Sequence, residues 1–326
     1  MDTIAVFISA YNAERTLTQT IESVLAQTYE HFHLYLFDNA STDNTFEIMQ
    51  RYKAKDDRIE LCQYKENFAG SFMKSLYGFM ECTRINVNTM YKHTPEEWVC
   101  FVDADDTIHP EYLQRLLSYA QINSLDMALC GWDFVRPNEV DRRVAQEDMI
   151  ITKDQYGLKL PFYDKFMGPV WNKIFRYKAL ASDNAYYESK FAKLFRDGIY
   201  FYGADTCFVY LFLSRIQKFG ILADSLYQYN ILDDSVSRKR FNPMRIVADR
   251  RLAEVRLDFL QEIGCDISKE NKDFILNIYF KSSKTTLDLL LHDDRYDLKQ
   301  KMKQMYDMFN YRLMGEAFPL SEQRYM

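Results

Sequence analysis

About the first 130 residues alternate between short apolar runs and amphipathic stretches, and this alternation limits the fold more than any other feature. Residues 4–9 (IAVFIS) form a continuous apolar run, which is typical of a strand buried on both faces. Leu17, Ile21 and Val24 follow at helical spacing. Strands that alternate with helices predict an α/β fold, in which a mostly parallel sheet is sandwiched by helices. The predicted strands are 4–9, 34–37, 59–64, 98–102 and one that begins at 127, and the predicted helices are 14–27, 70–86 and two that begin at 43 and 110.

The pattern changes to helix after about residue 226, where Leu252, Val255 and Phe259 fall on one helix face. We therefore predict a sheet-containing domain over residues 1–225 and a helical C-terminal extension over residues 226–326. Met, Tyr and Phe are frequent in the last 26 positions. These side chains suit packing of the extension, and contact with a membrane, a lipid-linked molecule or a second subunit stays open.

Charge and glycine content exclude several classes of function. The chain has 41 Lys and Arg against 47 Asp and Glu, a net charge of −6. Proteins that bind duplex nucleic acid normally carry an excess of basic residues instead. None of the ten glycines is spaced as in a dinucleotide- or phosphate-binding loop. The six cysteines lack metal-binding spacing, no basic leader is visible, and no apolar run approaches the roughly 18 residues that cross a bilayer. We expect a cytoplasmic protein that binds no nucleic acid.

Three carboxylates follow the predicted strand at 98–102. Asp103, Asp105 and Asp106 fall within four residues, so their charges repel one another and need a compensating charge. A hard divalent cation such as Mg²⁺ or Mn²⁺ binds carboxylate oxygens and keeps positions free for phosphate oxygens. Because ligands of parallel sheets bind beyond the carboxyl ends of the strands, the segment is predicted as a metal–diphosphate site. The alternative is an acidic turn that only caps the following helix.

A second polar segment follows the predicted strand at 34–37. Asp38 and Asn39 precede Ser41 and Thr42, and either hydroxyl could cap the helix that begins at 43. Capping alone explains this segment as well as a binding site does. Its position at the same predicted sheet edge as the acidic residues is what favours a shared ligand site.

Five segments in a fixed order resemble family 2 glycosyltransferases of the GT-A fold. Residues 4–46 carry an apolar strand followed by segments similar to x-x-Y-N-x-E, S-V-L-x-Q-T-Y and D-D-G-S-x-D. FVDADD at 101–106 matches the family's D-x-D motif, and VWNKIFR at 170–176 is similar to W-N-K-L-(Y/F)-(K/R). YGADT at 202–206 resembles a G-E-D stretch, and DSVSR at 234–238 resembles N-S-I-S-R. The matches run from about residue 3 to residue 240, about three quarters of the chain.

The resemblance implies that residues 1–225 form a nucleotide-sugar-binding catalytic domain, and it implies roles for ten residues. Tyr11, Asp38 and Asn39 would line the nucleotide-base pocket. Asp103, Asp105 and Asp106 would hold the donor's ribose and the metal ion, with the metal on Asp105 and Asp106. Asp205 would be the general base, Trp171 and Asn172 would lie near the donor sugar or the acceptor, and Arg238, beside Lys239 and Arg240, would contact the leaving phosphates.

The implied activity is an inverting, metal-dependent transfer of a sugar from a nucleotide-diphosphate donor, a UDP-sugar by this resemblance, to a hydroxyl acceptor. Mn²⁺ or Mg²⁺ would stabilise the charge that develops on the expelled diphosphate. A carboxylate would accept the proton of the acceptor hydroxyl, which is a weak nucleophile. The family setting implies surface polysaccharide assembly at the cytoplasmic face of a bacterial membrane. The acceptor would be a saccharide, a lipid-linked or another hydroxyl compound, and peripheral membrane association and a homo-oligomer stay open.

Several positions depart from the family pattern. Asn39 stands in place of Asp, Ala204 in place of Glu, Leu232 in place of His, and Asn230 in place of Arg. The departures at positions 39, 204 and 232 motivate an alternative function, a catalytically impaired subunit that binds a sugar nucleotide without transferring the sugar.

A third interpretation is a haloacid-dehalogenase-type phosphatase, because residues 103–107 (DADDT) also fit that class's D-x-D-x-T motif. Asp103 would then attack phosphate, and Asp105 would act as the acid and base. That motif normally opens its domain, whereas three predicted strands precede it here, and no G-D-x-x-x-D segment follows it.

Overall fold

The parallel part of a ten-stranded sheet is made by the strands that the sequence predicts. The computed structural model describes residues 2–65, 97–181, 186–187, 189–190, 203–231 and 241–310. Its strand β1 pairs in parallel with β2 and β4, and β3 pairs in parallel with β2. Every residue of β1 except Ser9 is buried, as expected for a strand covered on both faces. The elements of this part are β1 (Ile4–Ala10), α1 (Leu17–Leu25), β2 (Phe32–Asp38), α2 (Thr45–Lys53), β3 (Ile59–Gln63) and β4 (Trp98–Asp103).

The rest of the sheet mixes strand directions. Its order is β3-β2-β1-β4-β9-β6-β10-β5, with β7 paired to β6 and β8 paired to β10. Because β9 is antiparallel to both β4 and β6, these two strands run in the same direction, and β10 is parallel to β6. The elements are β5 (Thr107–Ile108), α3 (Tyr112–Ile122), β6 (Met127–Arg136), β7 (Glu139–Arg143), β8 (Met149–Thr152), α4 (Tyr156–Tyr163), β9 (Lys173–Arg176), α5 (Tyr177–Ala181), α6 (Ala204–Arg215) and β10 (Lys218–Asn230).

This topology confirms the predicted α/β fold, and it brings the carboxyl ends of β1, β2, β4 and β6 to one edge of the sheet. The predicted helix at 14–27 is shorter than expected and begins at Leu17, after a turn. The predicted helix at 70–86 lies outside the described residues.

Three helices follow the sheet. They are α7 (Met244–Glu262), α8 (Lys269–Leu291) and α9 (Leu298–Phe309). The expected change to helix at about residue 226 falls too early, because pairing with β6 keeps β10 extended as far as Asn230. The helix α7 packs against α6, α8 packs against α4, and Phe259 and Tyr279 join the core that covers the sheet. The division into a domain over 1–225 and an extension over 226–326 stays a prediction.

A buried ion pair attaches α7 to the rest of the molecule. Arg256 Nε donates to Asp164 Oδ1 at 2.5 Å, and Arg256 Nη2 donates to Asp164 Oδ2 at 3.2 Å. The Tyr210 hydroxyl of α6 also donates to Asp164. Both charged side chains are only 7% exposed, so each depends on the other for compensation.

Among the helices of the described ranges, none has the length and apolar character needed to cross a membrane.

We expect Arg256→Met to lower the free energy of unfolding by about 3–5 kcal/mol, because it leaves the Asp164 charge buried without its partner. Urea titration monitored by circular dichroism measures the change. Arg142→Met is the control, since Arg142 is 64% exposed and its pair with Asp133 should contribute no more than about 1 kcal/mol. Equal losses in the two variants would contradict the importance of the buried pair.

Candidate active site

Three carboxylates converge where β4 ends, in the segment that we name the acidic tip, residues 103–106. Carboxylate oxygens of Asp103, Asp105 and Asp106 all lie within 4.8 Å of one another. The backbone N–H of Asp106 donates to the carbonyl of Asp103 at 3.1 Å and closes the turn. The structure therefore brings together the three residues that the sequence singles out as a metal site.

The strand β10 holds the acidic tip from one side. Asp106 is fully buried, and its Oδ2 accepts the Tyr227 hydroxyl while its Oδ1 accepts the Asn230 N–H, both at 2.8 Å. The Asn230 side-chain amide donates to the Asp105 carbonyl at 2.8 Å, and the Asp103 N–H donates to the Tyr227 hydroxyl at 3.1 Å. Asp106 is thus a structural anchor in addition to any part in metal binding.

The helix α1 holds the acidic tip from the other side. The hydroxyls of Thr16 and Thr20 both donate to the Ala104 carbonyl, at 2.9 and 3.0 Å. These contacts and those of Tyr227 were missed at the sequence level, because they join residues 84 to 124 positions apart. No local pattern indicates such a pairing.

The electrostatics of the acidic tip favour a cation. Loss of solvation raises the pKa of Asp103 well above its usual value, and repulsion from Asp106, Asp205 and Asp105 raises it further. Burial raises the pKa of Asp106 to about 8, with Asp105 adding to the shift, although the bonds from Asn230 and Tyr227 oppose it. In the described ranges, no Lys or Arg forms an ion pair with Asp103 or Asp105. Repulsion among these carboxylates opposes their ionisation, and a bound divalent cation would favour the ionised form by neutralising their charge.

The loops after β1 and β2 are bonded to each other and border the same cleft. The Asn12 N–H donates to Ser41 Oγ at 3.0 Å, and Asn12 Oδ1 accepts the Thr42 N–H at 2.8 Å. Asn12 and Ala40 adopt positive φ angles of 50° and 59°. Tyr11 is 48% exposed in this loop. The cleft, of about 750 Å³, is lined by Ser9, Tyr11, Asn12, Ala13, Arg15, Thr16, Asp103, Ala104, Asp105, Pro137 and Ile231.

Asp38 and Asn39 lie beneath these loops and are fully buried. Asp38 accepts the Ser41 N–H at 3.2 Å and the Gln63 side-chain amide at 3.0 Å. Asn39 Nδ2 donates to Ser9 Oγ at 2.8 Å, while its Oδ1 has no hydrogen-bond partner in the part of the chain that the structure describes. The geometry gives both residues a role in shaping the loops, and their direct contact with a nucleotide base stays a prediction.

Asp205 lies in the first turn of α6, directly after Gly203 and Ala204. Gly203 precedes the helix with φ of 78°, a conformation that glycine adopts without strain. Burial raises the pKa of Asp205 to about 6, although the charge of Lys173 opposes the shift. Repulsion from Asp205 contributes to the raised pKa of Asp103, so the two carboxyl groups interact electrostatically.

Trp171 and Asn172 connect this side to the acidic tip. The Trp171 ring stacks on Tyr227 with centroids 4.2 Å apart and planes 19° apart, and Tyr227 in turn bonds Asp106. Asn172 is fully buried, and its Nδ2 donates to the Cys130 carbonyl at 2.7 Å. Neither residue lines the cleft. Arg238, with Lys239, Arg240 and the departure at Leu232, lies outside the described residues.

A family model described as glycosyl transferase family 2 matches residues 5–182, more than half of the chain. The chain belongs to glycosyl transferase family 2. An uncharacterized glycosyltransferase of Haemophilus influenzae is 24% identical over 92% of this chain and 94% of its own length. The poly(ribitol-phosphate) beta-N-acetylglucosaminyltransferase TarS of Staphylococcus aureus is 24% identical over 94% of this chain but only 48% of TarS.

The crystal structure of residues 1–349 of S. aureus TarS in complex with UDP-GlcNAc resembles this family 2 glycosyltransferase with a TM-score of 0.66. The likeness covers 94% of this chain and 80% of that one at 19% sequence identity. It confirms the predicted GT-A fold. The phosphatase interpretation is wrong, because residues 103–107 lie inside the family 2 match and follow three parallel strands of the same sheet.

Ala40 stands where the family pattern has Gly and holds a φ of 59°. A residue with a side chain is destabilised by about 1–2 kcal/mol in this left-handed backbone conformation. Glycine avoids that strain but loses more conformational entropy on folding than Ala, which costs about 0.5–1 kcal/mol. We therefore expect Ala40→Gly to raise the free energy of unfolding by up to about 1 kcal/mol in urea titration. Ala54, at φ −67° after α2, provides the control, because Ala54→Gly should lower stability. A loss in both variants would contradict strain at Ala40.

Proposed function

We propose that this protein is an inverting glycosyltransferase that moves a sugar, a hexose or N-acetylhexosamine, from a UDP-sugar to a hydroxyl of an acceptor during polysaccharide assembly. The observation that carries the proposal is the acidic tip, where Asp103 and Asp105 line a cleft that Tyr11 also borders. The complex of TarS with UDP-GlcNAc supports the uridine nucleotide and the N-acetylhexosamine.

The residues present fit a divalent cation, Mn²⁺ or Mg²⁺. Asp103 and Asp105 offer hard oxygen ligands to the cleft, and Asp106 lies within the same 4.8 Å cluster. When bound, the ion would neutralise the charge that develops on the departing diphosphate. Both oxygens of Asp106 already accept hydrogen bonds, so we propose Asp105 as the principal ligand, assisted by Asp106, with Asp103 beside the donor's ribose.

The chain's own residues would perform the remaining tasks. Tyr11 would contact the nucleotide base at the mouth of the cleft, above the loops that Asp38 and Asn39 shape. Asp205 would accept the proton of the acceptor hydroxyl at a carboxylate oxygen as that hydroxyl attacks the donor sugar. A single displacement of this kind inverts the sugar's configuration. Arg238 stays our sequence-based candidate for contact with the leaving phosphates.

Donor binding tests the acidic tip directly. We expect UDP-GlcNAc with Mn²⁺ to raise the melting temperature more than UDP-GlcNAc without Mn²⁺, and more than GDP- or CMP-sugars, because ligands of the native state stabilise it according to affinity. Asp105→Asn should abolish the increment due to Mn²⁺, while Asp57→Asn, an exposed carboxylate after α2, should keep it. A wild-type protein that Mn²⁺ and UDP-GlcNAc do not stabilise would refute the proposed site.

Measurement of turnover tests the proposed role of Asp205 as the general base. Asp205→Asn keeps the shape of the side chain but cannot accept the proton, so we expect kcat for UDP release to fall by about 10²–10⁴-fold while donor binding persists. Unchanged turnover would remove Asp205 from this role. Donor binding without turnover in the wild-type protein would instead favour the impaired sugar-nucleotide-binding subunit.

The pH dependence follows from the same residue. A base is active when deprotonated, and the pKa of Asp205 is raised to about 6. We therefore expect log kcat/KM to rise with a slope of one below about pH 6 and to level off above it. This acid limb should disappear in the residual activity of Asp205→Asn, and an acid limb that persists there would assign it to another group.

The cellular location, the acceptor and the oligomeric state of the enzyme stay predictions as well. We propose that the enzyme acts in the cytoplasm on a saccharide, lipid-linked or other hydroxyl acceptor. Peripheral contact with the inner face of the membrane and assembly into a homo-oligomer are expectations from the family resemblance.

A further inference from the structure

Lys173 is a buried cation that the proposed reaction does not yet use. It is the first residue of β9 and directly follows Asn172, and its side chain has no exposed surface. An ammonium group is strongly hydrated in water, so its burial is unfavourable unless every N–H finds an acceptor. The position of those acceptors therefore indicates what the side chain is for.

All three N–H groups of the Lys173 ammonium have an acceptor. Lys173 Nζ donates to the carbonyls of Phe166 and Pro169 and to Asn172 Oδ1, at 2.5 to 2.6 Å. The three acceptors belong to one segment, residues 166–172, which we name the ammonium loop. The loop winds around the charge, and so the charge determines the shape of the loop.

The ammonium loop contacts the elements that flank the proposed chemistry. At one end, Trp171 stacks on Tyr227, which bonds Asp106 of the acidic tip. In its middle, the Gly168 carbonyl accepts the Thr206 hydroxyl at 3.2 Å. Thr206 directly follows Asp205 in α6. A change in the loop would therefore be transmitted both to the acidic tip and to the proposed base.

Lys173 and Asp205 interact electrostatically. Burial lowers the pKa of Lys173 well below its usual value, and the charges of Cys130 and Asp205 oppose that shift. In the described ranges, no carboxylate accepts a hydrogen bond from Lys173 Nζ. The ammonium thus donates its hydrogen bonds to the loop, and its interaction with Asp205 is electrostatic.

We propose that Lys173 is a positioning residue, whose ammonium shapes the ammonium loop so that Trp171 and α6 keep Asp205 in register with the acidic tip. This inference rests on the proposed function. The loop does not line the donor cleft, so Lys173 acts on the turnover of bound donor and not on donor binding.

The test is Lys173→Met, assayed by release of UDP from UDP-GlcNAc with Mn²⁺, water serving as the acceptor. We expect kcat to fall at least tenfold while KM for UDP-GlcNAc stays within threefold of the wild-type value. Tyr112→Phe is the matched control, because the Tyr112 hydroxyl donates to the carbonyls of Trp171 and Lys173 without involving the ammonium. Its kcat should stay within twofold. An equal fall in kcat for both variants at similar melting temperature would overturn the proposal.

Two further measurements keep the proposal falsifiable. If Lys173→Met does not fold, Thr206→Val releases the ammonium loop from α6; a lowered kcat at unchanged KM supports the proposal, and an unchanged kcat overturns it. If the wild-type protein turns over no sugar nucleotide, the proposed function fails separately. The crystal structure of Lys173→Met, or of Thr206→Val if only that variant folds, then tests the positioning role without an activity assay. A Trp171 ring still stacked on Tyr227 with centroids 4.2 Å apart would refute that role.

Discussion

The close approach of three carboxylates at the acidic tip is the interaction on which the rest of the site depends. Groups that repel one another remain together only where the surrounding chain is fixed. Here β10 fixes Asp106 through Tyr227 and Asn230, and α1 fixes the Ala104 carbonyl through Thr16 and Thr20. The packed sheet thereby keeps three carboxyl groups together at the acidic tip before any cation or substrate arrives.

The parallel part of the fold could be predicted from sequence because its signals are local. The apolar runs that became β1, β2 and β4 are almost entirely buried, and β2 and β4 each end at an aspartate that marks the sheet edge. The antiparallel strand β9 and the extent of β10 could not be predicted in this way. Their positions depend on pairing with β4 and β6, which lie far away in the chain.

The candidate site divides in the same manner. The sequence indicates Asp103, Asp105 and Asp106 because charge at a strand end is visible in one dimension, and the structure brings them together. The sequence does not indicate the role of Tyr227, and it shows Lys173 only as part of the segment at 170–176, without a role of its own. Both act through contacts that depend on the folded chain, namely the hydroxyl on Asp106 and the ammonium within the loop at 166–172.

The irregular pairing of β10 decides which way Tyr227 points. Leu222 to Tyr227 lie opposite Cys130 to Trp132 of β6, so β10 bulges between these positions. In a strand, successive side chains alternate between the two faces of the sheet. Loss or gain of a single residue in this bulge would turn the tyrosine to the opposite face and leave the buried carboxyl group without its donor. The length of this stretch therefore bears on the site more directly than its composition does.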